Sequence, residues 1–211
     1  NFRDFCGKPL FRWVLDSLLK VAEIDAVIIN TDARDILVDN GLVEGDRVVI
    51  RQRPAEICGD DISMDLVIAD DLKNVEADIY LMTHTTNPLL SCETIALTLE
   101  KYKAYLKKGT ADTLFTVNKI QTRFYLEDGT AINHNPKNLI PTQNLEPWYE
   151  ENSNLYLFTS KSFMKTGSRI GLSPAMHVTP LNESVDIDTI EHWELGVATA
   201  QYLLNLGFIE R

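Results

Sequence analysis

Residues 24–41 read IDAVIINTDARDILVDNG, and this stretch decides the fold class. Residues 24–29 form a short apolar run rich in branched side chains, which predicts a buried strand. A polar turn follows at residues 30–32 and starts a predicted helix over residues 33–40, with Gly41 well placed to end it. A buried strand, a polar turn and a helix in this order are typical of a βαβ unit.

The same alternation of strand and helix extends along most of the chain. Further helices are predicted over residues 9–23, 63–73, 92–107 and 189–206, and further strands over residues 47–50, 78–83, 113–117, 154–159 and 185–187. This spacing predicts a Rossmann-like α/β fold with a mainly parallel sheet. A length of 211 residues suits one domain.

The alternation stops after residue 117. Residues 124–132 predict a hairpin, because Asp128-Gly129 is a strong turn signal. Residues 133–151 are polar and contain three prolines, which indicates an arm rather than core. A stretch this long without regular structure is expected to be functional or to meet another chain.

Composition excludes several classes of protein. The net charge of −11 leaves no basic stripe of the kind that nucleic-acid-binding proteins carry, so no nucleic-acid partner is expected. No apolar run is long enough to span a bilayer, so no membrane association is expected. The cysteines Cys6, Cys58 and Cys92 are odd in number and lack metal-type spacing, which indicates reduced thiols and a cytoplasmic protein.

Polar clusters follow three of the predicted strands, at residues 30–32, 84–87 and 186–188. In an open α/β sheet, ligands bind beyond the carboxyl ends of the strands. A single cluster could be an ordinary turn from strand to helix. Three such clusters together indicate a binding site at this edge of the sheet.

Asp186 and Asp188 are separated by one residue, which in a strand points both carboxylates to the same face. Such a pair suits Mg²⁺, and a cation would relieve the repulsion between the two charges. The alternative interpretation is that Asp188 caps the following helix, with Glu191 completing a capping box. The two interpretations are compatible, because a strand end also lies near a helix start.

Single residues leave two interpretations open. Arg53 lies in a loop after a strand and could bind a base or a phosphate, or it could be an exposed loop arginine. His84 could act as a general base or bind a hydroxyl, or it could only be hydrogen-bonded at a strand end. Ser63 is most simply a helix cap. No Gly-x-Ser-x-Gly, Walker or His-Glu-x-x-His motif occurs, so neither a hydrolase nor an ATPase is indicated.

Six short segments, in order along the chain, resemble one family. They are NFRDFCGKPL at residues 1–10, Thr31-Asp32, Arg53-Pro54-Ala55-Glu56 with Gly59-Asp60, Thr86-Asn87-Pro88-Leu89, Asn152 with Tyr156, and SVDIDT at residues 184–189. Over nearly its whole length the chain resembles the acylneuraminate cytidylyltransferases, also called CMP-sialic acid synthetases.

This resemblance implies a three-layer α/β nucleotidyltransferase with a mixed sheet, formed as a single domain over residues 1–211. Residues 118–150 would be a small β-rich dimerisation arm that reaches the active site of the neighbour in a homodimer. The residues implied to bind the nucleotide are Asn1, Arg53, Ile62 and Ser63, those implied to hold Mg²⁺ and act in catalysis are Asp186 and Asp188, and those implied to bind the acceptor are His84, Thr85, Arg123, Asn152 and Tyr156.

The departures from the family pattern concern the phosphates and the sugar. The family begins with a strand and an Arg/Gly/Ser/Lys-rich loop that holds the triphosphate, and the present sequence opens after it, so about twenty further residues are expected upstream. Glu150 and Thr142 stand where the family has arginines, and His84 replaces a glutamine. The cytidylyl half of the reaction is therefore better specified than the sugar half.

The sequence thus predicts a cytidylyltransferase that moves CMP from CTP to the anomeric hydroxyl of a sialic-acid-like sugar acid and releases pyrophosphate. Two alternatives remain open. One is a different acceptor, such as 3-deoxy-octulosonate or a diamino nonulosonate. The other is a non-catalytic nucleotide-sugar-binding homologue. Catalysis is expected to rest on positioning and on charge neutralisation by Mg²⁺, with no general base assigned.

Overall fold

The computed structural model describes residues 1–59 and 61–210, so Asp60 of the quoted loop motif lies outside the described residues. The helices are α1 Leu10–Lys20, α2 Arg34–Asp39, α3 Met64–Asn74, α4 Cys92–Lys108, α5 Ser160–Thr166 and α6 Ile190–Asn205. The strands are β1 Asp4–Phe5, β2 Lys8–Pro9, β3 Val27–Thr31, β4 Val48–Gln52, β5 Tyr80–Met82, β6 Thr113–Ile120, β7 Trp148–Phe158 and β8 Pro174–Val178. Within these described residues, no helix is both long and apolar enough to cross a membrane.

The largest sheet has four strands in the order β5-β7-β6-β8. Its β5–β7 and β6–β7 pairs are antiparallel, whereas β6 and β8 run parallel. The parallel pair β3–β4 forms a second sheet, and β1 and β2 form a short antiparallel pair. The expected mixed sheet is therefore confirmed, with a larger antiparallel share than the strand–helix alternation predicted.

Helices cover both faces of this sheet. The side chains of β7 alternate between the two faces, so neighbouring residues of β7 contact different helices. Leu155 and Leu157 pack in one cluster with residues of α1 and α4. Tyr156 and Phe158 pack on the opposite face with residues of α3 and α5. The three-layer α/β arrangement is thus present.

The closing helix α6 packs against the beginning of the chain. The ring of Phe5 lies edge-on to Trp13 and Trp193, with centroid distances of 5.9 and 5.4 Å. Gly196 allows this close approach, since a Cβ atom there would lie 3.3 Å from both Ile187 and Phe5. Ile187 is thereby held against α6, which fixes the segment that carries the two predicted metal ligands.

Two predicted features of that segment are wrong. Residues 185–187 are not a strand, and the segment is instead joined to the loop after β5 by a hydrogen bond of 2.9 Å from the Ile187 N–H to the Thr86 carbonyl. Asp188 does not cap α6 either, because the cap is Thr189, whose hydroxyl accepts from the His192 N–H at 3.3 Å. Asp188 therefore does not have the capping role that was the alternative to metal binding.

The boundaries of the predicted arm also change. Strand β6 continues to Ile120 and β7 begins at Trp148, so both ends of the 118–150 stretch belong to the sheet. The irregular part covers residues 121–147. Its hairpin is confirmed, with an Ile132 N–H to Phe124 carbonyl bond of 2.9 Å.

A wide bulge interrupts β7 where it pairs with β6. The register shifts between Phe115 and Val117, and the Thr116 hydroxyl fills the gap by accepting from the Leu155 N–H at 2.8 Å. Ser153 lies in this bulge with a φ of 57°, in the left-handed region. Bulges often place one residue in this conformation, which glycine adopts at the lowest cost.

Replacing Ser153 therefore tests the bulge. Ser153→Gly is expected to raise the free energy of unfolding by about 0.5–1 kcal/mol, because the left-handed strain of a non-glycine residue exceeds the entropic cost of glycine. Ser153→Val should lower it, since β-branched residues tolerate this conformation poorly. Urea denaturation measures both changes, and a destabilised glycine variant would contradict the interpretation.

Candidate active site

Three separate segments meet beyond the end of β5. The hydroxyl of Thr85 donates to the side-chain oxygen of Asn1 at 2.8 Å, which joins the loop after β5 to the start of the chain. The next residue, Thr86, accepts the hydrogen bond from Ile187 described above. Two predicted site residues are thus in direct contact, and the Asp186–Asp188 segment lies beside them.

His84 lies where charges of both signs act on its ring. Burial lowers the pKa of His84 below its ordinary value, and the positive charge of Arg169 lowers it further. The carboxylates of Asp186 and Asp188 act in the opposite direction on the pKa of His84. The ring is therefore neutral near pH 7 and can both donate and accept a hydrogen bond.

The lowered pKa of His84 makes stability depend on pH. The unfolded chain protonates this residue below about pH 6.5, whereas the folded ring stays neutral to a lower pH. Stability is therefore complete above about pH 6.5 and falls as the pH drops toward the folded pKa. His177 contributes with the same sign, since burial and then Lys101 lower its pKa.

We expect the urea midpoint to fall between about pH 7.5 and 5.5, and the fall to be smaller in His84→Gln and in His177→Gln. The double variant should show the smallest fall. A fall of the same size in His84→Gln and in the wild-type protein would contradict this assignment for His84.

The carboxylate of Asp186, a predicted Mg²⁺ ligand, is only partly satisfied within the described part of the chain. Its Oδ1 atom is buried and finds no hydrogen-bond partner among the described residues, whereas Asp188 is exposed. A buried carboxylate oxygen without a partner is costly unless a cation or a proton compensates it. Mg²⁺ commonly binds one or two carboxylates and completes its coordination with water and substrate phosphates. The two aspartates fit this pattern, and the part of the chain described here offers no set of three or more acidic, His or Cys ligands.

An open cavity of about 730 Å³ lies beside Asp186. Its walls include Asn152 in the β7 bulge, His192 on α6 and the two acidic residues Glu150 and Glu151. The cavity is large enough for a sugar-sized ligand. Its negative lining means that an acidic ligand needs a compensating cation nearby.

Asn152 is held firmly in place. It is 6% exposed, and its amide nitrogen donates to the side chains of Asn118 at 3.0 Å and Thr179 at 2.7 Å. Both amide hydrogens are thereby used within the protein. Only the amide oxygen, which accepts from the Asn154 N–H at 3.3 Å, retains spare hydrogen-bonding capacity.

Tyr156 is fully buried, and its hydroxyl points toward polar groups at the cavity wall. The hydroxyl donates to the carboxylate of Glu151. Burial raises the pKa of Tyr156, and the hydrogen bond to Glu151 raises it further. The guanidinium of Arg169 lies 4.1 Å from the centre of the tyrosine ring.

The expected base-binding residue Arg53 is fixed by Asn30 at the end of β3. Its Nη2 donates to the Asn30 carbonyl at 2.7 Å and its Nε to the Asn30 side chain at 3.3 Å. The Asn30 amide in turn donates to Asp70 at 3.1 Å and to Asp71 at 2.9 Å. Arg51 forms ion pairs with the same two aspartates. The orientation of Arg53 is thus set by a connected network.

Ile62 and Ser63 lie where the loop after β4 enters α3. Ser63 caps the helix by accepting from the Asp65 N–H at 3.3 Å, as the simpler sequence interpretation held. The Ile62 N–H donates to the Gly59 carbonyl at 3.4 Å. Asp65 also accepts from the backbone N–H of Arg169 at 3.2 Å, which connects the expected base side to the cavity side.

Arg123 does not join the other candidates within one chain. It lies in the 121–147 segment and donates to the Ile140 carbonyl at 2.5 Å, while its buried Nε has no partner among the described residues. Its assignment to the acceptor stays a prediction that requires the arm of a second chain.

Sequence reasoning missed Arg169 and the role of Asn30. The sequence did give a reason to expect a role for Asn30, since it belongs to one of the three polar clusters at strand ends. No such reason existed for Arg169, because it lies in an irregular connection between α5 and β8, two elements that the hydrophobic pattern did not predict.

Known proteins resemble this chain both in sequence and in fold. A family model described as cytidylyltransferase matches residues 1–187. The pseudaminic acid cytidylyltransferase of Campylobacter jejuni subsp. jejuni serotype O:2 is 24% identical, over 97% of this chain and 90% of that protein. The enzyme of the same name from serotype O:23/36 is 22% identical over the same shares of the two chains.

Two solved structures share the fold. A 4-diphosphocytidyl-2C-methyl-D-erythritol synthase from Anaerococcus prevotii superimposes with a TM-score of 0.63 at 16% identity, over 94% of this chain and 88% of that one. A CMP:2-keto-3-deoxy-manno-octonic acid synthetase complexed with CTP gives a TM-score of 0.60 at 15% identity, over 96% and 92% of the chains. Because the family model spans 187 of the 211 residues, the chain belongs to the cytidylyltransferase family and is a nucleotidyltransferase.

Proposed function

We propose that this enzyme transfers CMP from CTP to the anomeric hydroxyl of a sialic-acid-like sugar acid and releases pyrophosphate. The observation that carries the proposal is Asp186, which has a buried carboxylate oxygen without a partner in the described structure, lines a sugar-sized cavity and acts electrostatically on His84. The relatives named for pseudaminic acid and the fold neighbour complexed with CTP support the same reaction.

In this proposal the protein contributes mainly position and charge. Arg53, held by Asn30, orients the cytosine. Asp186 and Asp188 would hold Mg²⁺, which would neutralise the charge of the triphosphate. The acceptor hydroxyl attacks the α-phosphorus and loses its proton to water, while the bond to the β-phosphate oxygen breaks and pyrophosphate leaves. We assign the neutral ring of His84, which the charges of Asp186 and Asp188 reach, as a hydrogen-bond partner of the attacking hydroxyl.

The nature of the acceptor is part of the proposal. Glu150, which replaces a family arginine, lines the cavity and accepts from the Asn118 amide at 3.0 Å. A carboxylate at this place repels that of N-acetylneuraminate bound in the usual way. Because every sugar acid carries a carboxylate, we propose that the acceptor is bound differently, and the relatives' names favour a diamino nonulosonate or 3-deoxy-octulosonate as the acceptor.

Pyrophosphate release tests this function directly. The full-length protein is supplied with Mg²⁺, with CTP or ATP, and with N-acetylneuraminate, pseudaminic acid or 3-deoxy-octulosonate in turn. We expect turnover with CTP only, and N-acetylneuraminate should not be the best acceptor. Equal turnover with ATP would contradict the cytosine assignment, and no turnover with any sugar acid would contradict the proposed reaction.

We further propose a homodimer joined through the irregular arm at residues 121–147 and the adjoining end of β7. These parts expose several large apolar side chains: Tyr125, Leu126, Ile132, Leu139, Ile140, Trp148 and Tyr149. An apolar surface of this kind favours contact with another protein chain. Light scattering at micromolar concentration should give twice the mass of one chain, and a monomer would contradict the proposal. We also propose a cytoplasmic location, on the basis of the odd number and the spacing of the cysteines in the sequence.

A further inference from the structure

Arg169 lies on a rigid connection between α5 and β8. Its backbone N–H donates to the Asp65 carboxylate at 3.2 Å, in the first turn of α3. The next residue, Ile170, packs against the core cluster that contains Phe163. The backbone at Arg169 is therefore held in place, and this fixes the position of its Cα atom.

The guanidinium of Arg169 is also held in one orientation. It stacks on the ring of Tyr156 at 4.1 Å, and its Nη2 donates to the tyrosine hydroxyl at 3.2 Å. The same Nη2 atom is 3.6 Å from the Glu151 carboxylate, longer than a normal hydrogen bond. The side chain of Arg169 is 22% exposed. It is thus a partly exposed cation whose ion pair with a cavity wall is loose.

The position of this cation matches the need of the site. The cavity wall presents the carboxylates of Glu150, Glu151 and Asp186. A sugar acid that enters this space brings a further carboxylate, which needs a positive partner. Arg169 lies at the edge of this cavity, since its Nη2 is 3.6 Å from the carboxylate of the wall residue Glu151, and its positive charge also acts on His84.

Resting on the proposed function, we infer that Arg169 binds the carboxylate of the sugar-acid acceptor. The planar guanidinium offers two parallel N–H groups that match a carboxylate, a geometry that lysine lacks. In the free protein the Glu151 carboxylate lies near the Arg169 guanidinium without a normal hydrogen bond. The acceptor carboxylate takes the place of Glu151. Tyr156 acts as a positioning residue by stacking on the guanidinium. Arg169 thereby replaces the cations that the family carries at the positions of Thr142 and Glu150.

Steady-state kinetics of the full-length protein with CTP, Mg²⁺ and its best sugar acid test this inference. Arg169→Gln should raise KM for the acceptor by about tenfold to a hundredfold, as expected for a lost charge-assisted hydrogen bond, with KM for CTP unchanged. Arg169→Lys should give an intermediate increase. Glu151→Gln should leave KM for the acceptor unchanged or lower it, and Arg12→Gln serves as the control for the loss of an arginine elsewhere.

A methyl ester of the acceptor sharpens the comparison. The ester should be a much poorer substrate than the free acid for the wild-type enzyme and a nearly equal one for Arg169→Gln, because the two changes remove the same interaction. Equal discrimination against the ester by both enzymes would overturn the role of Arg169. If Arg169→Gln fails to fold, the Arg169→Lys and Glu151→Gln variants are measured instead. The role of Arg169 would be overturned if Glu151→Gln raises KM for the acceptor while Arg169→Lys leaves it unchanged. A wild-type enzyme inactive with every sugar acid would instead overturn the proposed function.

Discussion

Asp186→Asn and Asp188→Asn are each expected to lower turnover by about a thousandfold, because a cation that stabilises charge during phosphoryl transfer contributes several kcal/mol. Neither variant should lower the melting temperature. The amide keeps the shape of the carboxylate, and Asp186→Asn removes the charge from a side chain whose buried Oδ1 has no partner in the described structure. Asp188 is exposed, and Thr189 supplies the helix cap in its place.

Thr189→Ala is the matched control for this prediction. It should lower the free energy of unfolding by about 1 kcal/mol through the loss of the cap, with turnover largely retained. A second readout is the stabilisation that Mg²⁺ gives the CTP-bound protein in thermal melts, which should disappear in the two asparagine variants. Near-wild-type turnover of both asparagine variants at saturating Mg²⁺ would refute the metal site.

Arg53→Ala should raise KM for CTP by about tenfold to more than a hundredfold, because a hydrogen bond from a charged group contributes about 1.5–3 kcal/mol. The variant should also lose much of its preference for CTP over ATP. Arg53→Lys should restore little of the affinity for CTP. The network around Asn30 orients a planar guanidinium, and an ammonium group cannot reproduce its two hydrogen bonds.

The control is Arg12→Ala, which removes a surface arginine that pairs with Asp16 one helical turn away. It should leave both nucleotide constants unchanged. Isothermal titration with CTP separates binding from turnover. The assignment of Arg53 fails if the alanine variant binds CTP with wild-type affinity.

The amphipathic and buried elements could be predicted because burial imposes a period on the sequence. Helix α4, predicted over residues 92–107, spans Cys92–Lys108 in the structure. Strand β8 escaped because it is short, begins with proline and leaves Met176 and Val178 about half exposed, which is typical of an edge strand. Helix α5 could have been found, since Thr159 and Ser162 form a capping box and Gly167 ends the helix.

The candidate site shows the same division. His84 and Thr85 follow strand β5, so the rule of carboxyl strand ends identified them, whereas Asp186 was placed by a strand that the structure lacks. The strand predicted at residues 185–187 was wrong because alternating apolar and acidic residues also suit an extended segment without a ladder partner. Arg169 lies on an irregular connection and packs on the ring of Tyr156, which is 13 residues away in sequence. No local sequence pattern predicts such a contact.

The contacts that join the site have a consequence for folding kinetics. Asn1 and Thr85 are 84 residues apart in sequence, and Asp65 and Arg169 are 104 apart. Closing such large loops costs chain entropy before any contact repays it. The site should therefore assemble after the main folding barrier, so that Thr85→Ala and Asp65→Ala accelerate unfolding while leaving the refolding rate nearly unchanged. Partly folded chains would then carry the sheet without the ability to bind nucleotide.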